Sequence, residues 1–269
     1  MANESIMAAG GLPPGAGSLE ARTVGVGRGA SWWGEAWRLF APSVGAWLLI
    51  TLILLGILMV AGFFGRIPFL GWLVELGLQI LWPVLVGGLM VGCRAVDRGN
   101  PLLVTHLFSG FNQRTQPLIM VGLIYTGLSA LAVLVVFAIM VAIFGVAILG
   151  ALASVSDPTT VGGALGTMVS AILVCLLLFL LLWLPVVMLV WFAPALVMLG
   201  GMEAWPAMTQ SLRACLKNFA PFLVYGAIGL GLAIVASIPF ALGWFVLYPV
   251  TVATVYASYC DVFEDKDPA

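Results

Sequence analysis

From residue 43 onward the chain is a succession of long apolar runs separated by short polar or Gly/Pro-rich breaks. Runs of about 20 residues are what a hydrocarbon core of about 30 Å demands of a crossing helix. The pattern predicts six spans, at residues 43–64, 72–93, 117–150, 166–200, 220–238 and 244–259. The turn with Gly65, Arg66, Pro68 and Gly71, the loop with Asp157 and Pro158, and the short break at 239–243 would fold them into three hairpins, 43–93, 117–200 and 220–259. The third and fourth runs exceed what a crossing needs, so their helices must tilt or project.

A shorter segment of mixed character precedes each hairpin. Trp32, Trp33, Trp37 and Phe40 share one with Glu35 and Arg38, and residues 102–111 place apolar side chains at helical spacing. In the third, Trp205, Met208, Leu212, Cys215, Leu216 and Phe219 fall on one helical face, with Gln210, Arg213 and Lys217 elsewhere. Such segments suit helices lying in the membrane interface. The expected fold is therefore an all-α integral membrane protein of six transmembrane helices as three hairpins, each preceded by an interfacial amphipathic helix. One membrane domain would span residues 28–263, between a Gly/Ala/Pro-rich disordered tail at 1–27, without the form of a signal peptide, and a short tail at 264–269.

Composition removes the soluble alternative, since 63% of the residues are apolar and 8% charged, too little polar surface to face water. Of the ten Lys and Arg residues, Arg66 is the one that falls in an odd-numbered loop. The positive-inside rule then puts both termini in the cytoplasm. A net charge of -1 leaves no basic stripe for phosphates, so nucleic acid is not an expected partner. Cys93, Cys175, Cys215 and Cys260 form no CxxC pair, and His106 is the single histidine. Neither a metal nor a cofactor is expected.

The first and last hairpins echo each other. A basic residue precedes Phe-Ala-Pro at Phe40 to Pro42 and at Phe219 to Pro221, the turns read Ile67-Pro68-Phe69 and Ile238-Pro239-Phe240, and the returning helices carry Trp82-Pro83-Val84 and Tyr248-Pro249-Val250. The middle hairpin has a looser copy with Trp183 and Pro185. An even number of spans between copies makes this a parallel repeat. Pro83, Pro185 and Pro249 each remove a backbone donor and should kink their helices. Small pairs, Gly88 with Gly92 and Ala227 with Gly231, suit close helix contact.

Within the spans, Glu75 and Gln79 share a helical face with Pro83 and form the candidate intramembrane polar site. Arg38, Arg213 and Lys217 are candidate contacts for lipid headgroups. Asp97 and Asp261 sit after returning helices, where they would cap helices or pair with Arg213 and Lys217. No catalytic motif is present among the HExxH, GxSxG and P-loop patterns.

Trp37-Arg38-Leu39-Phe40, the 83–92 stretch, Asp97-Arg98-Gly99-Asn100, Leu107 to Phe111 and Phe192 to Leu196 together resemble an uncharacterised family of proteobacterial multi-pass inner-membrane proteins. The likeness covers residues 28–263. More distantly, Ser211 to Asn218 leading into a span is similar to the membrane domain that accompanies some glycerophosphoryl diester phosphodiesterases, a domain that is not itself the hydrolase. The resemblance implies location and fold without an activity. Three functions follow as expectations: a non-enzymatic protein binding membrane lipids or a membrane-protein partner, itself included; a small-solute or ion transporter with a pathway near Glu75 and Gln79; or an intramembrane lipid-modifying enzyme. For the transporter, single cysteines introduced from 75 to 83 should react with a small impermeant thiol reagent on the Glu75 face as deep as Pro83. Labelling confined to the outer turn rules that pathway out.

Overall fold

The computed structural model describes residues 19–153 and 160–264, with side chains over 19–145 and 169–264. Residues 1–18 and 265–269, parts of the tails expected at 1–27 and 264–269, and the loop at Asp157 and Pro158 lie outside the described residues. The helices are α1 (Arg28–Phe40), α2 (Val44–Phe64), α3 (Leu70–Asp97), α4 (Ser109–Gln113), α5 (Thr115–Ala153), α6 (Thr160–Trp191), α7 (Ala193–Met198), α8 (Ala204–Lys217), α9 (Phe219–Ser237) and α10 (Trp244–Phe263). No strand occurs among the described residues. Six helical stretches are long and apolar enough to cross a membrane, as a multi-pass helical membrane protein requires.

The chain divides into two compact units, Leu123–Met188 and the remainder, Met1–Gly122 with Leu189–Ala269. The larger unit is centred on α10. Its most apolar stretch is 67% buried, against 50% for α3 and 22% or less for the other spans. α1 lies against α10 and α9. It can do so because Gly29 has no side chain, and a Cβ there would stand 2.1 Å from the Pro221 carbonyl oxygen. Aromatic rings complete the seam: Trp32 meets Phe222 at 5.2 Å and Trp33 stacks on Tyr225 at 5.0 Å.

The two turns that echo in sequence also share local geometry. Phe69 takes φ 69°, and Phe240 and Ala241 take φ 48° and 61°, left-handed conformations that are costly for side-chain-bearing residues. The glycine that follows each turn touches the preceding backbone. A Cβ on Gly71 would come within 2.6 Å of the Gly65 Cα, and one on Gly243 within 2.5 Å of the Ala236 Cα. Pro83, Pro185 and Pro249 lie inside α3, α6 and α10.

Four local expectations change. The fourth apolar run is not one helix to residue 200: α6 stops at Trp191, and the short α7, with Pro194 in its first turn, is buried from Ala193 to Val197. The Phe192 amide there is satisfied by the Ser211 hydroxyl at 2.9 Å. α3 and α10 run further than expected, so Asp97 and Asp261 belong to helices and not to the loops after them. On α8 the predicted apolar face is split. Met208 and Cys215 are buried with Ala204, Ala207, Ser211 and Ala214, whereas Trp205 and Leu216 point outward. Small residues win the buried face because α8 sits close to α7. Finally, Gly88 abuts the backbone of His106 and Leu107, while Gly231 has nothing within 4 Å of where a Cβ would be.

Residues 19–27, part of the stretch read as tail, are non-helical yet held in place. Gln210, Lys217 and Asn218 donate to the carbonyls of Leu19, Ala21 and Arg22, the Val24 amide donates to Asn218 Oδ1, and the Arg22 amide to the Val262 carbonyl. Asn218 is only 1% exposed, so its side chain replaces water for that segment.

The smaller unit holds most of α5 and α6. α5 has 39 residues, about 58 Å at about 1.5 Å per residue. Leu131, Leu134 and Phe137 of α5 and Leu177 and Leu181 of α6 are exposed, a surface suited to acyl chains and not to water.

Replacing Gly29 by Val should lower the thermal midpoint in detergent, at a cost of about 1–3 kcal/mol, since the new methyls must push α1 off α9. Gly34→Ala, where nothing lies within 4 Å, should leave the midpoint unchanged or slightly raised.

Candidate functional site

The candidate site is built where α1 crosses the ends of α3 and α10. Trp32, Ala36, Leu39 and Phe40 recur at spacings of three and four, and all four are buried. That turns Glu35 and Arg38 to the other side of the helix. The C-terminal ends of α3 and α10 supply Asp97, Tyr256 and Asp261.

Asp261 anchors the crossing. Its Oδ2 accepts from Arg28 Nε at 2.7 Å and from the indole of the wholly buried Trp32 at 2.9 Å. Arg28 also reaches Glu35 Oε1 at 2.7 Å through Nη2, so one guanidinium serves two carboxylates. The three side chains are 39%, 19% and 17% exposed in the order Arg28, Glu35, Asp261. Coulomb attraction in so shielded a place exceeds that of a surface pair. Beside this cluster Arg94 bonds Glu264, and Arg22 donates to the carbonyls of Asp261 and Glu264.

A cavity of about 630 Å³ opens next to it, lined by α1, Pro42 and Ser43 of the turn before α2, the end of α3 and the Gly99–Pro101 loop, with Tyr256 and Ala257 of α10. Its charged residues are Glu35, Arg38 and Asp97. The Tyr256 hydroxyl donates to Asp97 Oδ2 at 3.1 Å, and Arg28 holds Glu35. Arg38 lines the same cavity with no side-chain hydrogen bond or ion pair among the described residues. Its guanidinium is a planar fork of five donors matched to phosphate or carboxylate.

Two apolar cavities flank the helices. One, about 570 Å³, lies between Trp33 and Trp37 of α1 and Leu232, Val235, Val246 and Leu247 of α9 and α10, reaching the Pro239 turn. The other, about 320 Å³, is lined by Thr51, Leu54, Leu58, Trp82 and Tyr248.

Of the three headgroup candidates only Arg38 lines the polar cavity. Lys217 is engaged with the Ala21 carbonyl at 2.7 Å, and Arg213 is exposed on α8. Asp261 pairs with Arg28 and Trp32, not with Arg213 or Lys217 as expected. Glu75 is exposed, Gln79 half-buried, and neither lines the three cavities above. Arg28 and Tyr256 were not singled out by sequence reasoning, and Trp32 was named only as an interfacial aromatic. The available signal was a lone acidic residue near the end of an apolar run, facing an aromatic and basic segment far away in the chain. All four cysteines are buried and free. Burial pushes the Cys215 thiol up to about 12, which keeps it protonated and unreactive at neutral pH.

No family model, curated protein or solved structure matches this chain.

Asp261→Asn keeps an acceptor but removes the charge that Arg28 and Trp32 share. The expected outcome is a loss of about 1–2 kcal/mol in detergent unfolding, together with a red shift and lower quantum yield in tryptophan emission as Trp32 meets water. An unchanged midpoint and spectrum would remove Asp261 as the anchor of α1.

Proposed function

We propose that this is a bacterial inner-membrane protein with both termini cytoplasmic, its spans paired as three hairpins, and that it binds a membrane lipid by the headgroup in the cavity between α1, α3 and α10. The observation that carries this reading is Arg38, an arginine without an internal partner, lining a polar cavity at the end of otherwise apolar helices. Arg38 is exposed, and a guanidinium in such a setting attracts an anionic group, of which phosphodiesters are the abundant kind at a bilayer surface. The volume of about 630 Å³ lies within the range of small-molecule sites. Trp33, Trp37 and the Pro-aromatic turns suit the two interfacial levels of the membrane, and the Lys/Arg asymmetry supports the orientation.

We read the protein as a binder and not an enzyme. Its cavity carboxylates serve as hydrogen-bond acceptors, Glu35 for Arg28 and Asp97 for Tyr256. Its likeness to proteobacterial inner-membrane proteins and the parallel repeat belong to the same proposal, the latter supported by the matching left-handed turns at Phe69 and Phe240.

Delipidated protein in detergent should gain thermal stability on titration with bacterial phospholipids. Arg38→Ala should weaken the apparent affinity about tenfold, as the loss of a charge-assisted bond of about 1.4 kcal/mol requires. Arg213→Ala should leave it unchanged. Equal effects of the two substitutions would mean general surface attraction and no site at α1.

A further inference from the structure

Two cavities of opposite character flank α1. Glu35 and Arg38 line the polar one, Trp33, Gly34 and Trp37 the apolar one, and Trp32, Ala36, Leu39 and Phe40 form the buried side between helix and core. With about 3.6 residues per turn, Gly34 and Arg38 fall together on the outward crest that divides the two flanks. Both are exposed, and nothing lies within 4 Å of where a Cβ on Gly34 would stand. The crest is therefore lowest at Gly34, one turn from the guanidinium, a saddle by which the polar cavity reaches the apolar one.

The apolar cavity is a groove without a charged side chain in its lining. Trp33 donates its N–H to the Tyr225 carbonyl at 3.3 Å, so the indole offers the groove a ring and no free donor. From Trp37 the groove passes Leu232 and Val235 of α9 and Val250 and Val246 of α10 and ends at the Pro239 turn, about 10 Å along each span at about 1.5 Å per residue. Trp37, Val235 and Val246 are exposed at its rim, so it opens sideways, toward lipid. Water has no polar side chains to bond there. A free hydrocarbon is held no better there than among other acyl chains, whereas a chain tethered to a group already bound at Arg38 enters as an intramolecular partner.

Resting on the headgroup reading above, we infer that one glycerophospholipid straddles α1, its phosphate on Arg38 and one acyl chain passing over Gly34 into the groove between Trp33, Trp37 and the ends of α9 and α10. Trp37, next to Arg38 in the chain, stands where headgroup and chain join. Its indole N–H has no acceptor among the described residues, and the ester carbonyl of the lipid supplies one. The second acyl chain stays in the bilayer.

The test places the full-length protein in phosphatidylethanolamine/phosphatidylglycerol vesicles with a trace of phosphatidylglycerol carrying a diazirine on one acyl chain, irradiates, and maps the labelled peptides by mass spectrometry. The expected result is labelling of residues 232–250 that falls about tenfold in Arg38→Ala, the factor by which that change weakens binding. Gly34→Phe and Gly34→Leu, which fill the saddle, should lower it as far while keeping the lipid-free melting temperature and the Arg38-dependent rise in melting temperature on adding phospholipid; Gly34→Ala should keep the label. Labelling of 232–250 that ignores Arg38→Ala while that rise persists means the groove is covered by bulk bilayer, which overturns the straddling lipid and leaves the headgroup pocket standing. Labelling that follows Arg38 and ignores both saddle-filling changes overturns the path over Gly34. A rise in melting temperature that ignores Arg38→Ala overturns the headgroup pocket and the straddling lipid together.

Discussion

The carboxylate of Asp261 is the contact on which the rest of this end of the protein depends. Two donors from α1 converge on one of its oxygens, and Arg28 passes the connection on to Glu35. Those bonds set where α1 crosses α10, because an indole buried without an acceptor would cost about 1–3 kcal/mol. Once Trp32 is seated there, its ring meets Phe222 and its neighbour Trp33 stacks on Tyr225. The opposite side of α1, with Glu35 and Arg38, is then left facing the end of α3, and the polar cavity follows from that placement.

Bilayer solvent explains why so few polar contacts carry so much. Between apolar helices in lipid there is little hydrophobic driving force, since acyl chains are as apolar as leucine. Many leucines and valines of the spans are accordingly outward-facing, and close backbone approach takes over inside. Gly29 against Pro221 and the small-residue face of α8 are two cases. Specific pairing is left to the ends of the helices, where a charge can be shielded without being stranded in hydrocarbon.

The elements were legible where periodicity or run length alone decides. Six spans, the helical α1 and α8, and the prolines inside α3, α6 and α10 could all be read from polarity. Errors arose where a neighbour decides instead. The break at Phe192 depends on a hydroxyl from Ser211, and the buried face of α8 depends on the closeness of α7, which rewards alanine over tryptophan. Residues 19–27 have no apolar pattern because their order comes from the side-chain amides of Gln210 and Asn218 and from the Val262 carbonyl of α10. At the candidate site Arg38 could be named from its interfacial setting, but nothing local distinguished it from Arg213 and Lys217.

The division has one physical cause. Crossing a bilayer is a requirement on each segment separately, of about 20 apolar residues with backbone bonds closed within the helix, so the chain by itself specified a helical membrane protein. Pairing of charges is a requirement on segments far apart, here residues 28, 35 and 261, or 97 and 256. Which side chains meet around the polar cavity is known only after those distant segments have packed, and that was settled by tertiary packing alone.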